Sequence, residues 1–251
     1  MDFAVAARLG LLLVRPAALV ATMPPFGSGY TPSLVKIGLS LLLAITMAPL
    51  VAVPAVDTGT ALAVVAGHEL LVGIALGMGV RALLAAAELA GQLAGFQLGL
   101  SFAAAVDPQT GARNNTIAAL YGNLALFAVL ASNAHHAVLR ALARSYAAVP
   151  LGPGAIDGSL GAAVARMLGA IFTIGTQLAA PIVVVLLVVE LGLGLVTRAA
   201  PALNMMVVGF PVRLLAGLIV LAGMVPVVVG VAQQAAPRLI DLASHLAAAL
   251  K

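Results

Sequence analysis

Several short stretches of this chain carry residue types that could do chemistry. His68-Glu69 opens the zinc pattern H-E-x-x-H, where two histidines one helical turn apart hold the metal and the glutamate acts as base. Position 72 is valine, so the second ligand is missing, and zinc needs three or four ligands. His135 and His136 are adjacent; on a helix they would point in different directions, and they read as polar loop residues. Gly27-Ser-Gly29-Tyr-Thr-Pro32 starts like a phosphate-binding G-x-G-x-x-G but ends in proline and follows no strand. Gly99-Leu-Ser101-Phe102 has the look of an intramembrane protease serine, which would need a histidine base within hydrogen-bond reach. His68 and His245 lie at segment ends, and no apolar segment carries a histidine at midspan. The reading is therefore no enzyme, no cofactor and no metal. The simpler role for Ser101 is a hydrogen bond to a packed neighbour.

The same serine belongs to a stretch with a different purpose. Small residues recur every fourth position at Ala87, Gly91, Gly95, Gly99 and Ala103, which on a helix makes one smooth ridge. Such a ridge lets another backbone approach closely, as helices do where lipid supplies no hydrophobic drive. Gln92, Gln97 and Ser101 add groups that can bond across to a neighbour. The stretch stops at Asp107-Pro108, followed by Gln-Thr-Gly111-Ala-Arg-Asn114-Asn, a run of turn residues.

Charges also sit where apolar segments should exclude them. Arg81, Glu88, Glu190, Arg198 and Arg213 lie inside or at the edges of such segments. A charge at the bilayer centre costs about 2.5–3.5 kcal/mol on insertion scales, so these residues should face protein or water, or snorkel to an interface. For Glu190 a buried pair with an arginine of a neighbouring helix is expected, rather than a proton relay. Pro181 should kink its helix. The run Pro201-Ala-Leu-Asn204-Met-Met-Val-Val-Gly209-Phe210-Pro211 holds two prolines and a glycine, so a straight helix is not expected there. Broken backbone at this depth is tolerated where it is buried in protein or lines a wet cavity. Pro201, Asn204, Gly209, Phe210 and Pro211 are thus candidates for a partner or pore contact.

These groups must be positioned by helices in a bilayer. Of 251 residues, 63% are hydrophobic and 8% are charged, against roughly 25% charged in soluble domains; mean hydropathy is +1.18. Net charge is +4, without a basic run or aromatic interleaving, so nucleic-acid binding has no support. Cysteine is absent, which removes disulfides and thiolate chemistry. The N-terminus lacks the basic start and cleavage site of a signal peptide. Apolar segments fall at about 3–20, 37–56, 70–87, 89–106, 116–134, 167–189 and 214–231, most of them near the twenty residues that span a hydrocarbon core. The first is weakened by Arg8 and Arg15. The expected fold is all-α: one multi-helix membrane bundle over 1–251, with broken helices and helical hairpins. Loop charges place Asn133–Arg166 in the cytoplasm and the acidic Asp57–Glu69 connection outside, but Arg198 and Arg213 fit that topology poorly. A secondary transporter would show an internal repeat and midplane ligands; no repeat is seen, and midspan polar groups are few.

Taken together, the segments resemble the FliR family of flagellar export-gate proteins. Arg15-Pro-Ala-Ala-Leu-Val-Ala-Thr-Met-Pro-Pro-Phe26, Pro32-Ser-Leu-Val-Lys36 and Gly73-Ile-Ala-Leu-Gly77 match its first segments. Ala90-Gly-Gln-Leu-Ala-Gly-Phe-Gln-Leu-Gly-Leu-Ser-Phe102 with Val106-Asp107-Pro108 is the most specific match. Leu193-Gly-Leu-Val-Thr-Arg198-Ala-Ala-Pro201-Ala-Leu-Asn204, followed by Val208-Gly-Phe-Pro211, is nearly as specific. Ala202 stands where glutamine is usual, and Met205-Met206 where bulkier residues are common. The resemblance implies a subunit of the type III export gate in the bacterial inner membrane and flagellar basal body. It would assemble with FliP-like and FliQ-like subunits around a pore for unfolded flagellar proteins, with a FlhB-like protein on the cytoplasmic side and much of the assembly held above the bilayer plane. The family also has virulence-secretion members. It implies a pore plug over about Leu98–Asn114, including Ser101, Phe102, Asp107, Pro108, Gly111 and Asn114.

Overall fold

A computed structural model describes residues 3–27, 29, 31–54, 58–100, 116–155, 157–200 and 205–251. Its described elements are helical: α1 (Phe3–Thr22), α2 (Ser33–Met47) with a 3-10 turn at Ala48–Leu50, α3 (Gly59–Gln97), α4 (Thr116–Ala131), α5 (Ala134–Ala148), α6 (Leu160–Ala199) and α7 (Met205–Ala248). The all-α expectation holds. Three helices, α3, α6 and α7, are long and apolar enough to cross a membrane, or up to four spans if the bent pair α4–α5 counts as one. An apolar surrounding offers backbone N–H and C=O groups no outside partner, which enforces long helices even through glycines and β-branched runs.

That rule explains where the sequence boundaries moved. The segment expected at 70–87 and the part of 89–106 up to Gln97 lie on one helix of 39 residues, α3; residues 101–106 lie outside the described residues. Glu88 is exposed on it and interrupts nothing, because a charge that reaches solvent or a polar neighbour costs the backbone ladder nothing. The helix already runs from Gly59, so Gly59–Glu69 of the connection expected at Asp57–Glu69 is helical. Within Asn133–Arg166, α5 takes up Ala134–Ala148, which puts His135 and His136 in its first turn rather than in a loop. Asn133 makes the turn from α4 with φ of 54°, a left-handed conformation that asparagine tolerates better than most residues.

The end of α3 is built by a glycine. Gly99 has φ of +76°. Its N–H donates to Phe96 O at 3.0 Å, and the Leu100 N–H donates to Gly95 O at 3.1 Å. This pair of bonds is a Schellman motif, which ties up the last carbonyls and needs a residue without Cβ at the left-handed position.

The chain forms two compact units, each assembled from separated stretches. One comprises residues 1–83, 129–170 and 235–251; the other comprises 84–128 and 171–234. In the first, α5 is amphipathic. It buries Ala134, Val138, Ala141, Leu142, Ser145 and Tyr146, a stripe at helical spacing, and exposes Arg140 and Arg144 on the other side.

Candidate assembly site

The first unit is organised around a salt bridge that the segment map did not contain. Arg15 of α1 and Glu69 of α3 are both fully buried. The guanidinium grips the carboxylate with both arms: Nε donates to Oε2 at 2.7 Å and Nη2 to Oε1 at 2.9 Å. Nη1 donates to Ser145 Oγ at 2.9 Å, and Nη2 also donates to Val149 O at 2.9 Å. The Tyr146 ring lies under the guanidinium carbon at 4.2 Å from its centroid, a favourable cation–π placement. The Ser145 hydroxyl in turn donates to Leu142 O at 2.7 Å. A bidentate, charge-assisted pair of this kind fixes orientation as well as energy. His68 and Glu69, the start of the zinc pattern, are both used structurally, since His68 Nε2 contacts Leu250 O.

Glu69, Gly73 and Gly77 share one face of α3 at four-residue spacing. A Cβ at Gly73 would run into Arg15 O and the Ala18 methyl, and one at Gly77 into the Thr22 hydroxyl and Leu19 O. The glycines thus let α1 lie directly against α3, which brings Arg15 within reach of Glu69. Gly79, on another side, faces Leu239–Ala243 of α7, with Ile240 Cα 3.0 Å from where its Cβ would be. The signal for this contact was present in the sequence, because Gly73 and Gly77 repeat the spacing of Gly91, Gly95 and Gly99.

The second unit contains the candidate ridge and the candidate partner contact. A Cβ at Gly91 would lie 2.5 Å from Ala118 Cα and 2.6 Å from Ile117 O of α4. The ridge therefore admits a helix of this same chain at that position. Gly95 is buried. Gly99 serves as the helix cap, with the Phe210 ring 3.4 Å from where its Cβ would be.

Glu190 of α6 pairs with Arg213 of α7, so the arginine partner is present, but the expectation of a buried pair does not hold. The pair is not buried: side-chain exposures are 39% for Glu190 and 27% for Arg213. Arg213 Nη2 also donates to Gln97 Oε1 at 3.4 Å, while its Nε has no hydrogen-bond partner among the described residues. A groove of about 400 Å³ runs here between Leu193, Gly194, Thr197, Gly209, Phe210 and the ion pair. Phe210 is 48% exposed.

The backbone at this site departs from the expectation in one respect. The break between α6 and α7 falls after Ala199, but Gly209, Phe210 and Pro211 lie within α7. Proline removes one N–H and leaves the carbonyl four residues earlier without its helical donor; near a helix start that loss is local and the helix continues. Pro181 likewise lies inside α6. Of the sequence candidates, Pro201 and Asn204 lie outside the described residues, as do Ser101, Phe102, Asp107, Pro108, Gly111 and Asn114 of the candidate plug.

The remaining surface of α6 and α7 is apolar and open. In their most apolar windows 17% and 22% of residues are buried, against 61% in α3. Phe172, Val188, Leu191, Leu195, Leu215 and Ile219 are all at least 60% exposed. Exposed apolar area of this extent must meet lipid or another protein.

The sequence pattern of bacterial export proteins, family 1, matches residues 6–239. The chain belongs to that family. Among its relatives, flagellar biosynthetic protein FliR of Pectobacterium carotovorum subsp. carotovorum is 33% identical over 238 residues, covering 93% of this chain and 90% of that protein. FliR of Escherichia coli K12 is 33% identical over 217 residues, covering 86% and 83%. FliR of Bacillus subtilis 168 is 34% identical over 215 residues, covering 84% and 83%. The resemblance carried by the stretches around Arg15, Gly91 and Pro201 is thus a true family relationship. In this export-protein family member, the ends of α3 and α6 and the start of α7 meet in one unit, at Gln97, Glu190 and Arg213.

Proposed function

We propose that this export-family protein is a subunit of the flagellar type III export gate in the bacterial inner membrane, lining part of the pore for unfolded flagellar subunits. It works there with FliP-like, FliQ-like and FlhB-like proteins and holds no cofactor. The observation that carries the reading is the groove at Glu190, Phe210 and Arg213. It is an ion pair about one-third exposed and a half-exposed aromatic ring, beside two helices whose apolar faces are largely uncovered. A helix bundle finished by itself would bury that ring and exclude that pair from an apolar surface. The stretch of about Leu98–Asn114 supplies the plug, and Asn204 and Phe210 supply partner contacts.

The native sequence has no cysteine, which makes the test direct. Phe210→Cys should label rapidly with a bulky water-soluble maleimide in the chain alone and be protected when the chain is co-expressed and purified with its gate partners. Equal labelling in both preparations would reject the contact. Deleting 107–115 should leave the complex intact and make membranes leak small ions; an assembled, ion-tight deletion mutant would make that stretch a connector.

A further inference from the structure

Another cavity lies within the first unit. It is about 470 Å³ in volume and opens between α5 and the C-terminal end of α7. Arg140 and Arg144 of α5 line one side, one helical turn apart and both exposed; Asp241, Ser244 and His245 of α7 line the other. Ala137 and Ala141 form part of an otherwise apolar wall.

The charges in this cavity do not cancel. The salt bridges among the described residues join Arg15 or His68 to Glu69, and Arg213 to Glu190. Neither Arg140 nor Arg144 pairs with Asp241. Two guanidiniums against one carboxylate leave the cavity net positive. Arg140 and Arg144 are exposed and are not among the residues that α5 buries.

We propose that this cavity binds a phosphate-bearing anion, supplied as the headgroup of an anionic phospholipid or as free phosphate, through Arg140 and Arg144. A carboxylate saturates one guanidinium with its two oxygens. A phosphate has oxygens enough to engage two guanidiniums one turn apart, and the planar fork of arginine matches it bidentately. The alanine walls suit the glycerol and first methylenes that adjoin a lipid phosphate. Basic residues beside membrane-spanning helices also gather anionic lipid electrostatically. An acidic segment of another protein is the competing occupant.

The test uses the full-length protein extracted in neutral detergent with the subunits that co-purify with it. Its thermal midpoint is titrated with dioctanoyl phosphatidylglycerol, dioctanoyl phosphatidylcholine and sodium phosphate. A ligand that binds only the folded state raises the midpoint by mass action. Phosphatidylglycerol should raise it and phosphatidylcholine should not. In Arg140→Gln/Arg144→Gln the apparent affinity should fall about tenfold or more, whereas Asp241→Asn should tighten it and Arg238→Gln, outside the cavity, should leave it unchanged. Ala137→Leu keeps both charges but fills the wall, and should also weaken binding, which guards against a folding defect in the arginine variant. If sodium phosphate acts as well as the lipid and is lost in the same variants, the source is the free anion. Equal stabilisation by phosphatidylcholine, unchanged titration in the double variant, or loss of a co-purifying subunit in place of lipid would overturn the proposal.

Discussion

The two units each hold an arginine–glutamate pair, and the pairs are opposites. Arg15–Glu69 is sealed from solvent, its guanidinium donates to Glu69, Ser145 and Val149, and an aromatic ring covers it. Glu190–Arg213 is about one-third exposed, has a long contact to Gln97, and leaves Arg213 Nε unpartnered among the described residues. Around the first pair, glycines press α1 onto α3. Around the second, α6 and α7 present open apolar faces. A buried pair in an apolar core is stable only when every donor is satisfied within the chain. An incompletely satisfied pair at a surface leaves binding capacity for something outside it. The contrast separates a scaffold from a docking element by physical state, before any function is invoked.

That contrast can be broken experimentally, starting with its strongest consequence. Glu69→Leu strands the Arg15 charge in the core, and we expect a loss of about 3–5 kcal/mol, seen as a collapse of folded protein recovered from membranes. Arg15→Met/Glu69→Leu, which removes both charges, should recover much of that yield. If Glu69→Leu were no worse than Glu190→Leu, the distinction between the two pairs would be gone.

Gly91→Val should come next. Its side chain meets the α4 backbone at Ala118, and overpacking of this kind costs about 1–3 kcal/mol. Gly192→Val, on exposed α6 with nothing within 4 Å, should leave the thermal midpoint of the chain alone nearly unchanged. Equal destabilisation by the two would mean that the α4 contact carries no packing energy. Gly99→Ala forces a methyl into the left-handed region at a cost of about 1–2 kcal/mol, and Gly99→Asn should cost less; a flat response in midpoint would discount the helix cap.

The smallest effect on the fold should come from Glu190→Gln. Exposed pairs contribute about 0–1 kcal/mol, so the midpoint should hardly move, while the yield of co-purified complex should drop. A large loss of folded chain with normal assembly of the remainder would turn this pair into scaffold as well.

The amino-acid sequence by itself determined that the protein is an all-α membrane-type chain of the FliR-containing export family. Its apolar runs, small-residue spacing and the wording of the stretches 90–108 and 193–211 are properties of order along the chain, so they are legible without coordinates. It also indicated that Glu190 needs an arginine. It did not show that Arg15, read as a flaw in the first segment, closes on Glu69 54 residues away, nor that His68 and Glu69 belong to that core. Helix limits were blurred for a related reason: in an apolar setting backbone hydrogen bonding carries α3 straight past Glu88, and Pro211 is absorbed near the start of α7. Only the tertiary structure decided which glycines receive a neighbour of the same chain, which one caps a helix, and which charges are sealed or open. Those outcomes depend on what lies across a contact, and partners distant in sequence leave no periodic mark on either strand of the pairing.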